Sequence, residues 1–326
     1  MDFTIEHVLT FEDTLAKLVN NDYAIALGNA WWDRLMTERP IGGRQETWEF
    51  LLTNADIHLL PEGQMIYDEL VKQFLVLKSQ KRGTGLKIKR DDWLDDKLDP
   101  VADWAGQAGA AMALAPQYQA VDLLKAGETG KAYDGKAFFA TDHPTNPGDA
   151  GAGTYSNLLS PFPLADPITG HANLASLNEA KAKMRSYSMP NGRNRNLVPS
   201  AIVCAPRNEM AALEAAQARY LTATENVFAE GFGGKINGKI NNGLDVIVVN
   251  ELENASDPDS WYLVASNNGS GLLPFVYGLR EAYFMTSYTG ATQVTLARAD
   301  ELEWIIRGRN VAIYGHPYSM IKVKSA

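Results

Sequence analysis

This 326-residue chain has little sulfur chemistry, few groups that titrate near neutrality and a deficit of positive charge, with one cysteine, five histidines and a formal charge of -9. The lone thiol, Cys204, excludes an internal disulfide and fits folding in a reducing compartment. With 30 Lys and Arg against 39 Asp and Glu, the balance argues against a protein that holds nucleic acid mainly by electrostatics. Nowhere do roughly eighteen apolar residues run together, so no membrane-spanning helix is predicted. The opening MDFTIEHVLTFEDTLAKLVNN lacks the basic and apolar regions of a signal peptide, which predicts a chain that is not exported. What the sequence does contain, 45% hydrophobic and 21% charged residues, suits one large core or a few modest ones. It excludes a coiled-coil rod or a mainly disordered tail.

Residues 1–40 read as an acidic, helix-compatible lead with Phe11, Leu15, Leu18 and Val19 at helical spacing. Trp31 and Trp32 follow, more aromatic surface than a short helix buries alone. Thr47–Phe50 and Phe74–Leu77 are strand-like, with Pro61–Leu70 between them as a loop or short helix. Lys78, Lys81, Arg82, Lys87, Lys89 and Arg90 form a basic stretch in which Gly83 and Gly85 predict a turn. Asp91, Asp92, Asp95, Asp96 and Asp99 then reverse the sign. The plainer reading of the cations is a solvated hairpin, and the sharper one is a charge-complementary contact with another copy. No interleaved aromatic platform accompanies them, so specific nucleic-acid binding is the weakest reading.

Asp99-Pro100 predicts a helix start, and Val101, Trp104, Ala105, Ala108 and Met112 mark one buried face. Pro116 is expected to bend or end that helix, with Val121, Leu123 and Leu124 in a following piece that stops at Gly127. Residues 145–171, rich in Pro, Gly, Asn and Ser, read as a long irregular excursion. A helix carrying Leu174, Leu177, Met184 and Tyr187 should end near Pro190-Asn191-Gly192. Ala201–Ala205 reads as a buried strand, and Pro206 opens a helix with Met210, Leu213 and Tyr220 facing inward. Strand candidates at Leu244–Val249, Trp261–Ala265, Tyr283–Thr286 and Leu302–Ile306 complete a mixed α+β pattern.

Catalytic signatures are absent. GFGGKINGKI, residues 231–240, has Ile236 where a phosphate loop needs Ser or Thr, and its apolar strand comes after the glycines. Asp142-His143 is the nearest approach to a catalytic pair, and Cys204 sits in an apolar run that favours a structural thiol. His7, His58, His143, His171 and His316 show no short metal-ligand spacing. Neither a catalytic residue, a cofactor site nor a metal site is therefore predicted.

Two segments carry a resemblance. Tyr133-Asp134-Gly135-Lys136-Ala137-Phe138-Phe139-Ala140-Thr141-Asp142-His143-Pro144 and Arg307-Gly308-Arg309-Asn310-Val311-Ala312-Ile313-Tyr314-Gly315-His316-Pro317-Tyr318 resemble the major head subunit family of Mu-like phages and prophages, with weaker agreement at Glu46–Phe50. The resemblance implies an α+β Hong Kong 97-type tailed-bacteriophage capsid fold. In it residues 1–40 are the N-terminal arm, 41–98 the extended loop, 99–199 and 291–326 the peripheral domain with a spine helix near 100–126, and 200–290 the axial domain. It implies hexamers and pentamers of the chain itself in an icosahedral virion head, synthesised and assembled in the bacterial cytoplasm. A separate scaffold, a portal and non-specifically contacted double-stranded DNA would be its partners. Trp31 and Trp32 would anchor the arm, and Lys78, Lys81, Arg82, Lys87, Lys89 and Arg90 would meet acidic surface on an adjacent subunit. Asp134-Gly135 reads as a turn, and Arg307, Gly308 and Arg309 as a polar interruption within a sheet. A soluble α+β enzyme with an unrecognised site, another phage structural protein and a related encapsulating shell remain the alternatives.

Overall fold

The computed structural model of the chain describes residues 5–52, 71–95, 99–149, 151–217, 243–266, 273–288 and 300–325. Among them the order is α1 (Ile5–Gly28), β1 (Met36–Pro40), β2 (Gln45–Leu51), β3 (Lys72–Lys78), β4 (Gln80–Lys89), α2 (Arg90–Leu94), α3 (Asp99–Lys125), β5 (His143–Pro144), β6 (Thr154–Tyr155), β7 (Leu158–Leu159) and α4 (Leu174–Arg185). There follow β8 (Pro199–Cys204), α5 (Glu209–Gln217), β9 (Asp245–Val248), β10 (Trp261–Ala265), β11 (Phe275–Tyr288), β12 (Glu301–Tyr314) and β13 (Met320–Val323). Pro61–Leu70, Tyr220 and the glycine-rich residues 231–240 lie outside the described residues. The chain divides into two compact units: Met1–Thr47, Val76–Ala120 and Val276–Ile313 form the first, Trp48–Leu75, Val121–Phe275 and Tyr314–Ala326 the second.

The first unit is a four-stranded sheet, ordered β1-β11-β12-β4, packed against α1 and α3. Strand periodicity sends Leu302, Trp304 and Ile306 of β12 to one face, where they meet Leu86 and Ile88 of β4. The helices supply Leu15, Val19, Val101, Ala105 and Ala108 to the same core, so the helical spacing in the sequence marks the buried faces correctly. Two glycines make this approach close: a Cβ on Gly109 would lie 2.2 Å from the Val19 carbonyl oxygen, and one on Gly106 2.3 Å from Asp22 Oδ2. The lead is helical only to Gly28, and Met36–Pro40 instead forms a sheet edge, after which Ile41 donates its amide to the Leu279 carbonyl at 2.9 Å.

Two sequence expectations are corrected in this unit. Gly83 and Gly85 lie inside β4, not in a turn, opposite Arg307 and Ile305 of β12. A Cβ on Gly83 would stand 2.3 Å from the Ile306 carbonyl oxygen, so glycine serves close strand approach here. Pro116 does not end the helix, which continues to Lys125. Proline removes one helical amide, but Gln119, one turn on, fastens the helix to the sheet. Its Nε2 donates to Asn310 Oδ1 at 3.0 Å and to the Ala115 carbonyl at 3.3 Å, and its Oε1 accepts the Ala312 amide at 3.0 Å.

The second unit is built on a five-stranded sheet ordered β7-β13-β10-β8-β9. Central β10 pairs antiparallel with β13 and β8, and β8 runs parallel to β9. Every residue of β10 is buried, as its continuous apolar sequence requires of a strand covered on both faces. α4 starts where Asn173 accepts the Ser176 amide and stops at Arg185, earlier than its apolar spacing implies. Tyr187 is buried outside the helix, with its hydroxyl donating to the Ser156 carbonyl at 2.6 Å. Pro206 opens a 3-10 turn through Asn208 before α5 begins, which shifts the helical phase. As a result Ala211, Ala212, Ala215 and Ala216 face inward, Leu213 is half-buried and Met210 is 76% exposed, contrary to the inward positions expected.

Gly109→Ala should lower stability in denaturant unfolding by about 1–3 kcal/mol, because the methyl group must displace backbone in a packed interface. Gly28→Ala, with nothing within 4 Å of the added Cβ, serves as the neutral comparison.

Candidate functional site

The two family-like segments meet in one buried cluster. Phe138 stacks on Tyr314 with centroids 4.9 Å apart, and Phe275 lies against both rings. Asn157, fully buried, sutures the segments with its side-chain amide: Nδ2 donates to the Phe138 carbonyl at 2.7 Å and to the Pro317 carbonyl at 3.0 Å, while Oδ1 accepts the Ala140 amide at 2.9 Å. Asn157 falls in the stretch that the sequence presents as an irregular excursion, and nothing local to it announces these partners. Asp134-Gly135 forms the expected turn, with Gly135 at φ 78°. Arg307–Arg309 lie within β12, also as expected.

A second group of rings fixes β2 to this unit. Phe50 meets His316 edge-on at 4.4 Å and Tyr133 at 5.2 Å, and His316 stacks on Tyr318 at 4.9 Å. Arg195 lies 4.0 Å above the Tyr318 ring, donates Nε to the Ser188 carbonyl at 3.1 Å and reaches the Leu52 carbonyl at 3.5 Å. His316 is sealed from solvent, and neither ring nitrogen has a hydrogen-bond partner among the described residues. Burial, with the Arg195 charge added, pulls its pKa down to about 3.

Asp142 and His143 do not form a pair. Asp142 is bonded to Lys136, which holds its carboxyl below the ordinary range, while His143 Nδ1 lies 2.6 Å from Asp134 Oδ2 and its Nε2 3.2 Å from the Phe138 carbonyl. The His143 and Asp134 side chains are 0% and 1% exposed, and the imidazole stacks on Tyr155, so the dyad is closed to any substrate and ties a turn together. Cys204 is buried, and desolvation pushes its thiol up to about 12. His171 is exposed in a pocket of about 610 Å³, with Nδ1 3.4 Å from Glu214 Oε2. Among the described residues no group of three or more His, Cys, Asp and Glu could hold a metal ion. Nor is any described helix long and apolar enough to cross a membrane.

The contact residues named from the sequence all belong to, or adjoin, the first unit. Trp31 is half-buried, with its backbone amide on Gln117 Oε1 at 3.2 Å, and Trp32 packs on Tyr277 with centroids 5.6 Å apart. Lys78 ends β3, and Lys81, Arg82, Lys87 and Lys89 lie along β4, all five exposed. Lys87 is committed within the chain, 2.6 Å from Glu303 and 3.4 Å from Glu301, which raises its pKa. Arg90 lies 3.7 Å from Asp300. Among the described residues the structure thus separates Lys87 and Arg90, which have ion pairs, from cations that have none, a division set by strand register and invisible in the residue order.

Residues 75–323, about three quarters of the chain, match the family described as "Phage capsid protein". A stretch of 70 residues is 39% identical to the major capsid protein of Escherichia phage Mu, spanning 22% of this chain and 23% of that relative. The fold aligns with the procapsid protein of bacteriophage JBD30 over 99% of this chain and 77% of that one, at TM-score 0.55 and 19% identity. The cyanophage P-SCSP1u capsid chain aligns over 91% of this chain and 88% of its own at TM-score 0.57 and 13% identity. The mature capsid chain of bacteriophage PhiM1 does so over 91% and 87%, at TM-score 0.55 and 11% identity. The chain belongs to the phage capsid protein family and has the Hong Kong 97-type capsid fold. The family makes it a structural protein of the phage capsid.

His316 gives the cluster a pH signature. Its folded pKa of about 3 lies below the ordinary 6.5, so the unfolded chain binds the extra proton between those values. The stability linked to it is fully present above pH 6.5 and is lost as pH falls toward 3, at up to about 1.4 kcal/mol per pH unit. His316→Phe should flatten this component of a stability-versus-pH curve, measured by urea unfolding between pH 7 and pH 4 against the unsubstituted chain.

Proposed function

We propose that the chain is the major subunit of a phage or prophage head, assembling as hexamers and pentamers into an icosahedral shell that encloses double-stranded DNA. The observation that carries this reading is the family match over residues 75–323, joined to a capsid fold that extends over nearly the whole chain. In this reading residues 1–40 are the N-terminal arm, 41–98 the extended loop, 99–199 and 291–326 the peripheral domain with α3 as its spine helix, and 200–290 the axial domain. Copies of the chain are the principal partners, a separate scaffold and a portal join during assembly, and DNA is contacted without sequence preference. The site of action is the virion head, formed in the host cytoplasm.

The charge balance supports a container. A shell of subunits each carrying -9 repels its contents weakly and leaves the genome free to enter and leave, whereas a basic lining would hold it through salt-dependent phosphate contacts. The half-exposed rings of Trp31 and Trp32 and the exposed cations of β3 and β4 supply contact surface between copies. Because Lys87 is held by Glu301 and Glu303, its share in such a contact is smaller than that of Lys81 or Arg82.

Electron microscopy of the purified full chain across protein and salt concentration tests the proposal. Five- and six-membered rings, tubes or closed shells are expected. A uniform monomer or dimer under every condition would contradict it.

A further inference from the structure

We infer that the cationic end of β4, centred on Lys81 and Arg82, docks against Asp91 and Asp92 of a second copy of this chain, so that successive copies join head to tail. The inference rests on the shell-subunit reading and names the surfaces that meet.

Charge along this segment is sorted by the sheet. Near its middle and far end, cations find anions on the neighbouring strand or just before it: Lys87 on Glu303 and Glu301, Arg90 on Asp300. At the start of β4, Lys81 and Arg82 are exposed and have no ion pair among the described residues; Arg82 makes only a long bond, 3.4 Å, to Gln80. Just beyond the strand, exposed Asp91 and half-buried Asp92 likewise have no ion pair among the described residues. Lys81 and Arg82 are left at one end and Asp91 and Asp92 at the other, where exposed Lys89 likewise has no ion pair among the described residues.

Register makes the cationic end costly to leave as it is. Lys81 stands directly opposite Arg309 in the β4–β12 ladder, and like charges in that position are destabilising. Glu281 lies 3.2 Å from Arg309 and is taken by it. An anionic partner on Lys81 relieves the repulsion, and no ion pair to Lys81 is made among the described residues.

The two ends cannot neutralise each other within one molecule. From Arg82 to its end at Lys89, β4 rises about 23 Å at roughly 3.3 Å per residue, nearly three times the Debye length of about 8 Å at physiological ionic strength. A second copy brings the complementary end within reach, and a contact between two different patches of identical subunits builds rings or lattices. DNA phosphates would answer the lysine and arginine but leave the aspartates exposed, and would have to approach a chain of charge -9. Charged residues on an edge strand also discourage edge-to-edge sheet pairing, a role that either sign of charge fills.

Charge reversal and exchange in the full chain separate these readings, with particle yield and sedimentation as the assay and thermal melting as the folding control. K81E/R82E and D91K/D92K should each reduce assembly at least tenfold without shifting the melting temperature by more than a few degrees. The quadruple variant K81E/R82E/D91K/D92K should recover assembly, and an equimolar mixture of the two double variants should associate where each alone does not. The inference is overturned if either double variant assembles like the unsubstituted chain. It is also overturned if the quadruple variant folds but remains as defective as the doubles, or if K81E/R82E assembles normally and loses only DNA binding. In each of those cases the unsubstituted chain still forms particles and the shell reading stands; an unsubstituted chain that never assembles would overturn both.

Discussion

The period-two alternation of β12 is the constraint on which most of the first unit depends. Fourteen residues long, this strand places Leu302, Trp304 and Ile306 into the core under α1 and α3 and turns Glu301 and Glu303 the other way to hold Lys87. Slipping its register by one residue would bury the glutamates and expose the tryptophan. Ten successive pairs with β4 fix that register, and Gly83 and Gly85 permit the close approach. The same alternation that makes the core sets Lys81, Lys87 and Lys89 on the opposite face, where Lys87 is paired with Glu301 and Glu303.

Past Tyr314 the chain enters the second unit, where a different kind of order prevails. Gly315 to Tyr318 join a cluster of rings threaded by a few buried polar groups, and the groups differ in how well they are met. Asn157 uses both ends of its amide and His143 both ring nitrogens, whereas His316 uses neither among the described residues. Satisfied polar groups specify a unique packing, and an unsatisfied one subtracts from stability whenever it must be charged. The cluster therefore holds Phe50 and Leu52, at the end of β2, by packing and by Arg195 while carrying an acid-sensitive element at its centre.

Much of this was legible in the sequence because it follows from periodicity. Val101, Ala105 and Ala108 announce the buried face of α3, and the unbroken apolar runs at Ala201–Ala205 and Trp261–Ala265 announce sheet interiors. Glycine and proline misled where tertiary contacts override local preference: Gly83 is read as a turn yet sits in a strand, and Pro116 is read as a break yet lies in a helix secured by Gln119. Met210 was assigned inward because a 3-10 turn that resets the helical phase leaves no trace in apolar spacing. The roles of Asn157 and Arg195 were illegible for a simpler reason, since their partners lie far along the chain. The six cations were visible as a group, but only pairing with β12 divides them.

A capsid subunit is a protein whose isolated surface is unfinished, and the imbalance along β4 is a local form of that general condition. The core is built from the chain's own residues, while Lys81, Arg82, Asp91 and Asp92 have no ion pair among the described residues. The most direct measurement is a side-chain-resolution map of the particle assembled from this chain. The account predicts five- and six-fold rings in which Lys81 or Arg82 lies within about 4 Å of Asp91 or Asp92 of the adjacent copy. A lattice in which both groups face solvent or packaged DNA would contradict the proposed contact, and the absence of any closed lattice would contradict the function itself.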